Sequence, residues 1–381
     1  MQKQQTIFSI QKKTQEECTI STTCGGCTTY DLSLEERIKQ KKQPILHFLL
    51  QQDLQLPVSI THVGFWALRD RFDLQYQNNV FGLYAFGTKN IVPMKRCPKV
   101  HPLLNKTLSW LYENPLPISK ASLRIRRSST GLLGIWIDTS NKNIHSLLQE
   151  ENWLTQASEH FVLEMGQKNK RLIRKADKWG LQKHPVLESW FETPINPDQS
   201  VPLYTPIGGF TQPSMRINRE MVLSVQRLVQ KISTSHWLEY GCGAGTFSFM
   251  LSQHALVLDL IEVSTIAQKG LQKGLSHLNT HATIQFVDSC LDSSCSAILV
   301  DPPRSGMGRN IVDICQHPTL KDIIYVSCHV QSLIADIKIL SQHGFRLQHI
   351  HGINQFPRTA HCEWIAHLHR IPHIVTKSET I

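Results

Sequence analysis

Cys328 closes the run Ile323-Ile-Tyr-Val-Ser-Cys328, and Glu363 closes Thr359-Ala-His-Cys-Glu363 about one strand pair downstream. A thiol and a carboxylate so placed suggest a nucleophile and a base. The thiol falls where a strand is expected to give way to a helix, and a helix N-terminus lowers a thiol pKa and favours the thiolate. A buried structural cysteine is the alternative, but the carboxyl end of a strand argues for function. Glu363 stands between apolar residues, where an unpaired carboxylate is costly unless it faces a polar site. His361 reads as a packed or hydrogen-bonding side chain with a minor role.

Upstream lie a glycine-rich turn, Glu239-Tyr-Gly-Cys-Gly-Ala-Gly-Thr246, and an acidic loop, Asp301-Pro-Pro-Arg304. Gly241, Gly243 and Gly245 let a loop approach an adenosyl ligand and present backbone N–H groups. The spacing departs from the dinucleotide fingerprint. Glu262, at the end of the next expected strand, could accept hydrogen bonds from ribose hydroxyls. The two prolines after Asp301 make a rigid ledge. Amine-directed methyltransferases often carry an aromatic residue after such prolines, so Arg304 argues against that chemistry.

A second group is made of thiols alone. Cys18, Cys24 and Cys27 form C-x5-C-x2-C, and Gly25-Gly26 permits a tight turn that lets neighbouring thiolates converge on one inorganic centre. Cys97, in Lys95-Arg-Cys-Pro-Lys-Val-His-Pro102, is the only other cysteine in the first half of the chain and the natural fourth ligand. Zinc and an iron–sulfur cluster both suit four thiolates, and the spacing does not separate them.

The elements that must position these residues follow from periodicity. Alternating segments Ala121–Arg126 and Gly131–Asp138 read as strands of a sheet with one exposed face, interrupted by helical patterns such as Ile144–Trp153. A proline-rich link, Pro194-Ile-Asn-Pro-Asp-Gln-Ser-Val-Pro202, suggests a domain boundary. Beyond it, strands Trp237–Tyr240, Leu256–Glu262, Thr283–Val287, Ala297–Val300 and Ile323–Ser327 alternate with helices, as in a parallel sheet. Phe345–Ile350 and Cys362–His367 lack a helix-length gap and should close it as an antiparallel pair. Ligands in such sheets bind at the carboxyl ends of the strands.

The 381 residues exceed the usual single-domain size, and 41% hydrophobic residues suffice for two cores. The formal charge is +10, concentrated in Arg37-Ile-Lys-Gln-Lys-Lys42 and in Lys168–Lys175 continuing to Lys178. Such runs fit phosphate neutralisation, with a solvated helical face as the alternative. No stretch has the length to span a bilayer, and the first residues lack the apolar core of a secretory signal, so a cytoplasmic protein with reduced cysteines is expected.

Taken in order, these motifs resemble the S-adenosylmethionine-dependent RNA uracil-5 methyltransferases, and specifically the iron–sulfur members that act on bacterial 23S ribosomal RNA. The resemblance runs from Cys18 to about Arg370. It rests on Cys18, Cys24, Cys27, Cys97-Pro98, Phe210-Thr-Gln212, Cys242-Gly-Ala-Gly245, Asp301-Pro-Pro-Arg-Ser-Gly306, Ser327-Cys328 and Phe356-Pro-Arg-Thr-Ala-His-Cys-Glu363. It implies an α/β fold: a Rossmann-like class I methyltransferase domain at 196–381, after an N-terminal α+β iron–sulfur and RNA-binding region at 1–195.

The resemblance further implies that Cys18, Cys24, Cys27 and Cys97 hold a 4Fe–4S cluster. Gln212, Gly241, Glu262 and Asp301 would occupy positions that bind S-adenosylmethionine. Cys328 would attack C6 of a flipped-out uridine, and Glu363 would remove the C5 proton from the methylated adduct. The chain departs from the family pattern at Ser214, Glu239, Gly241 and His329-Val330, and keeps both nucleophile and base. With 17 residues before Cys18, no N-terminal RNA-binding barrel is expected. A monomer forming 5-methyluridine in 23S ribosomal RNA, without membrane association, is the expected protein. Transfer RNA is the second substrate, and a non-catalytic iron–sulfur RNA-binding protein is the competing class.

Overall fold

The computed structural model describes residues 18–139, 144–167, 170–175 and 178–371. The expectations resting on residues 1–17, and on Lys168 in the second basic run, fall outside these. The described residues form two compact units. One draws on the described residues of 18–30, 65–127 and 133–184, the other on those of 31–64, 128–132 and 185–371. The second unit thus starts early, with helix Leu34–Gln51 and strand β1 (Ser59–Thr61).

The first unit is built on an eight-stranded sheet. Its strands are β2 (Arg71–Gln77), β3 (Val80–Tyr84), β4 (Ile91–Pro93), β5 (Lys120–Arg127), β6 (Leu133–Asp138), β7 (Val162–Gln167), β8 (Lys170–Lys175) and β9 (Lys178–Gln182), ordered β4-β3-β2-β5-β6-β7-β8-β9. In β2, Phe72, Leu74 and Tyr76 are buried and the alternate residues are not, as a two-residue period requires for a sheet with one covered face. Helix Pro102–Glu113 supplies Leu104, Leu108 and Leu111 to the same core. Pro102 opens it and the His101 side chain accepts from the Leu103 N–H. Only the β6–β7 pair is parallel. Its crossover carries the helical turn Ile144–Gln149 and helix Glu151–His160.

In the second unit the expected proline-rich link is instead the turn of a hairpin, β10 (Glu188–Pro194) with β11 (Ser200–Thr205). Asn196 Oδ1 accepts from the Asp198 and Gln199 N–H groups, and this local side-chain bonding makes a turn rather than a tether. The remaining strands are β12 (His236–Tyr240), β13 (Val257–Ile261), β14 (Thr283–Phe286), β15 (Ala297–Val300), β16 (Asp322–Ser327), β17 (Phe345–Ile353) and β18 (Glu363–Arg370). They form one sheet, β1-β17-β18-β16-β15-β12-β13-β14. All its pairs are parallel except those of β18, which runs antiparallel to both neighbours. All four residues of β15 are buried, as expected where helices cover both faces.

Helix Leu34–Gln51 belongs to this unit because Ile45, Phe48 and Leu49 enter the core beside Ile323, Tyr325 and Leu368. These apolar positions recur at helical spacing. The N-terminus carries a reciprocal cap between Ser33 and Glu36. The same packing corrects the reading of the run Arg37–Lys42 for Arg37 and Lys41, which are buried, while Lys39 stays exposed.

Candidate functional site

Strand register brings the expected nucleophile and base together. Ser327, the last residue of β16, pairs with Trp364 near the start of the antiparallel strand β18. Cys328 and Glu363 are the next residues outward on the two chains. Asp301 follows Val300, which pairs with Tyr325 of β16 and Tyr240 of β12. Gly241 follows Tyr240, and Glu262 follows Ile261, the Tyr240 partner in β13. Cys328, Asp301, Gly241 and Glu262 therefore leave the carboxyl ends of adjacent parallel strands, and Glu363 enters at the same edge. The alternation of strands and helices made this edge legible beforehand.

The glycine turn is shaped for close approach. Gly241, Gly243 and Gly245 all have positive φ, at 78°, 57° and 103°. A Cβ on Gly241 would meet the Asp301 carbonyl oxygen at 2.9 Å, and one on Gly245 would meet Leu271 at 2.5 Å. A Cβ on Gly243 would meet nothing within 4 Å, so the turn faces open space there. Glu262 Oε2 accepts from the Gly243 N–H at 2.9 Å and Oε1 from the Ser264 N–H at 2.7 Å, which ties the turn to β13. Buried Gln212 reaches the same unit's β17–β18 connection, accepting a hydrogen bond from Gln355 Nε2 at 2.6 Å. Ser214, where the family pattern has asparagine, caps helix Met215–Val229 by accepting from the Ile217 N–H, and both residue types cap well. This edge offers S-adenosylmethionine a small-residue turn, a half-buried carboxylate and a buried amide, and the residues fit that ligand.

Electrostatics correct one expectation. The Cys328 thiol is pushed up to about 11, first by burial and then by Glu363 and Asp301, while Arg304 pulls it down. The helix does begin at Val330, but its cap is His329, whose side chain accepts from the Ser332 N–H. Burial, with Glu363 and Asp301 added to it, therefore sets the direction at Cys328. Burial also raises Asp301 to about 7. Burial, reinforced by Asp301 and opposed by Arg304, raises Glu363 to about 8. Side chains poised near neutrality suit proton transfer. Glu239, where the family pattern has aspartate, is buried in β12, accepts from Ser248 Oγ at 2.6 Å and is raised to about 8 by burial.

Sequence reasoning missed the side chains that hold this edge in shape. Asp336, on helix Val330–Gln342, accepts from the Met307 N–H at 2.8 Å and from the Tyr325 hydroxyl. A Cβ on Gly306 would meet Asp336 Oδ2 at 2.7 Å, so a side chain there would displace this anchor of the proline ledge. The Gly306 φ of 81° independently favours glycine. Lys41 donates to Asn354 Oδ1 at 2.5 Å and to the Phe356 carbonyl at 2.9 Å, pinning the loop that leads to Glu363. Its only advance signal was the interval Arg37 to Lys41, one helical turn on one face. His361 lies 3.3 Å from Arg304 Nη2, and burial lowers its pKa, which suits an acceptor for that guanidinium.

The four expected metal ligands all lie in the first unit and influence one another. Burial raises Cys24, with further upward contributions from Cys27 and Cys18; burial also raises Cys97, with Cys27 adding to it. The buried ammonium of Lys99 acts on Cys24, Cys27 and Cys97, and Cys24 Sγ accepts from the Gly26 N–H at 3.4 Å. Among the described residues, no group of three or more His, Cys, Asp or Glu side chains is arranged to hold a metal ion. Also among the described residues, no helix is long and apolar enough to cross a membrane.

Residues 279–371, which include Asp301, Cys328 and Glu363, match the family described as tRNA (uracil-5-)-methyltransferase. A Bdellovibrio bacteriovorus protein described as an uncharacterized RNA methyltransferase is 27% identical, over 96% of this chain and 98% of its own length. The 23S rRNA (uracil(1939)-C(5))-methyltransferase of Mannheimia succiniciproducens is 24% identical, over 94% of this chain and 82% of its own. In fold the chain is similar to the Pyrococcus abyssi tRNA (uracil-54, C5)-methyltransferase solved with S-adenosyl-L-homocysteine. That likeness has a TM-score of 0.66 at 17% identity and covers 91% of this chain and 86% of the other. The second unit is accordingly a Rossmann-like methyltransferase fold, and these matches support the S-adenosylmethionine-dependent uracil-5 RNA methyltransferase family for this chain.

Proposed function

We propose that the protein forms 5-methyluridine in 23S ribosomal RNA through a covalent adduct between Cys328 and the target base. The observation that carries this reading is the Ser327–Trp364 register, which sets Cys328 and Glu363 on facing chain ends beside Asp301. S-adenosylmethionine, when bound, supplies an electrophilic methyl group. Gly241, Glu262, Asp301 and Gln212 are the residues assigned to hold it. Cys328 loses its proton to solvent and its sulfur bonds to C6 of the uridine. The C5–C6 π electrons then give enolate character that makes C5 nucleophilic. After C5 takes the methyl group, the Glu363 carboxylate removes the C5 proton and the sulfur–C6 bond breaks, releasing the thiolate and the methylated base.

Burial, and after it Glu363 and Asp301, raise the Cys328 pKa to about 11, so the thiol is protonated in the free enzyme near neutrality, and activation belongs to the substrate-bound state. The target has to leave its stack for both faces to be reached. The relative from Mannheimia favours 23S ribosomal RNA; transfer RNA is the second reading, favoured by the Pyrococcus likeness. Tritiated methyl donor offered with 23S or transfer RNA decides between them. Label in 5-methyluridine of 23S RNA is expected, label in transfer RNA alone replaces the substrate, and label in neither removes the activity.

A 4Fe–4S cluster on Cys18, Cys24, Cys27 and Cys97 is a separate proposal, supported by their spacing and by the influence of Cys27 on both Cys24 and Cys97. No step of the reaction is routed through it. Anaerobically purified protein should be brown with visible absorbance that Cys24→Ser removes. Colourless protein free of iron overturns the proposal.

A further inference from the structure

The first unit contains a cavity of about 470 Å³ lined by Trp66, Lys95, Arg96, Pro98, Asn105 and Lys106, among others. We propose that it is a binding site for a nucleotide of single-stranded RNA, distinct from the residues that act on the target uridine. The cations would hold the phosphate and Trp66 would stack on the base. The inference rests on the reading of the chain as an RNA methyltransferase and assigns part of its substrate contact.

Charge and rigidity carry the argument. Lys95, Arg96 and Lys106 are solvent-exposed at the lining, and none of the described residues lining the cavity is acidic. The like charges of Lys95 and Lys106 beside one hollow repel each other, and an anion between them relieves that repulsion. The apolar wall of Trp66, Pro98, Val100 and Pro102 has no use for a bare inorganic anion. An aromatic face beside cations is instead the combination that grips a base and its phosphate without reading sequence.

The walls are also fixed in advance. The Ala67 N–H donates to the Pro98 carbonyl at 3.0 Å, and the Leu68 N–H to the Lys99 carbonyl at 2.9 Å, tying the Trp66 loop to the Lys95–Val100 loop. Asn105 accepts from the Cys97 N–H at 2.9 Å and donates to the Cys97 carbonyl at 3.0 Å, tying that loop to helix Pro102–Glu113. A site braced on three sides loses little conformational freedom on binding. It also abuts Cys97, so the loop bearing that thiol is one wall of the cavity.

The test uses the full-length protein and a fluorescein-labelled oligouridylate, followed by anisotropy across a salt series. Lys95→Gln with Lys106→Gln should weaken binding about tenfold or more and lower the salt slope by about 1.4, for two phosphate contacts on a single strand. Trp66→Ala should weaken binding at least about fivefold at fixed salt, and Trp66→Phe should recover most of the loss. The lysine side chains are exposed, and unchanged thermal unfolding checks each fold. Wild-type affinity and slope in these variants overturn the site. Methyl transfer by the wild type is measured alongside. Weakened variants with an inactive wild type uphold the cavity and remove the enzyme reading; unaffected variants with an active wild type do the reverse.

Discussion

The two groups of cysteine chemistry in this chain are held in different ways. Cys328 is placed by a sheet: β16 and β18 pair residue by residue up to Ser327 and Trp364, and the next two residues are the thiol and the carboxylate. Cys18, Cys24, Cys27 and Cys97 are placed by turns, with one isolated bridge between Cys24 and Ala85 and a buried lysine among them. Register in a buried sheet leaves no freedom to slip, because a one-residue shift turns every side chain to the other face. Turns have no such constraint. The contrast explains why strand patterning anticipated the adjacency of Cys328 and Glu363, whereas spacing alone leaves the arrangement of the four thiols open.

The sharpest way to break this comparison is to remove the thiol that the sheet places. Cys328→Ala should cut methyl transfer by about 10³-fold or more, since loss of a covalent nucleophile removes its whole pathway. Transfer within tenfold of wild type, measured with tritiated donor, would mean that the register does not serve catalysis. Glu363→Gln should cost about 10²- to 10⁴-fold, because glutamine cannot take the C5 proton, and the covalent RNA adduct should persist rather than turn over. Glu363 is raised to about 8, so the wild-type rate should climb as pH rises through 8 and the carboxylate forms. A rate flat from pH 6 to 9 contradicts its role as base.

Smaller effects test the supports. Lys41→Met keeps the length of the side chain and removes both hydrogen bonds to the Asn354–Phe356 loop. A loss of roughly tenfold in kcat, with little change in donor KM, is expected from a small misplacement of Glu363; wild-type kcat would show that the loop holds itself. Glu239→Gln should act on stability. A folded pKa raised to about 8 contributes stability that is present below the unfolded value near 4.5 and is lost as pH rises through 8. The wild type should therefore lose up to about 3 kcal/mol in urea unfolding between pH 6 and pH 9 from this group, and Glu239→Gln should flatten that decline.

Legibility followed the same division. Strands β12, β13, β15 and β16 were readable because buried parallel strands are short apolar runs, and the order of motifs then fixed their edge. The β17–β18 closure followed from the missing helix-length gap. Helix Leu34–Gln51 was not read from the sequence because its charge, concentrated at Arg37–Lys42, masked the Ile45, Phe48 and Leu49 stripe that enters the core of the second unit. Asp336 was invisible because a lone carboxylate in a helix looks exposed until Tyr325 and the Met307 N–H are folded against it. The direction of the Cys328 shift was missed for a related reason: proximity to a helix start is local, whereas Asp301 and Glu363 arrive from other strands.

The most direct test offers 23S RNA substituted with 5-fluorouridine, together with S-adenosylmethionine, and looks for an RNA–protein band on a denaturing gel. Fluorine at C5 cannot leave as a proton, so the reaction should stall with the Cys328 sulfur bonded to C6. A band in the wild type that Cys328→Ala abolishes is the predicted result. A band that survives in Cys328→Ala, or methyl transfer to ordinary 23S RNA with no band on the fluorinated RNA, contradicts the account.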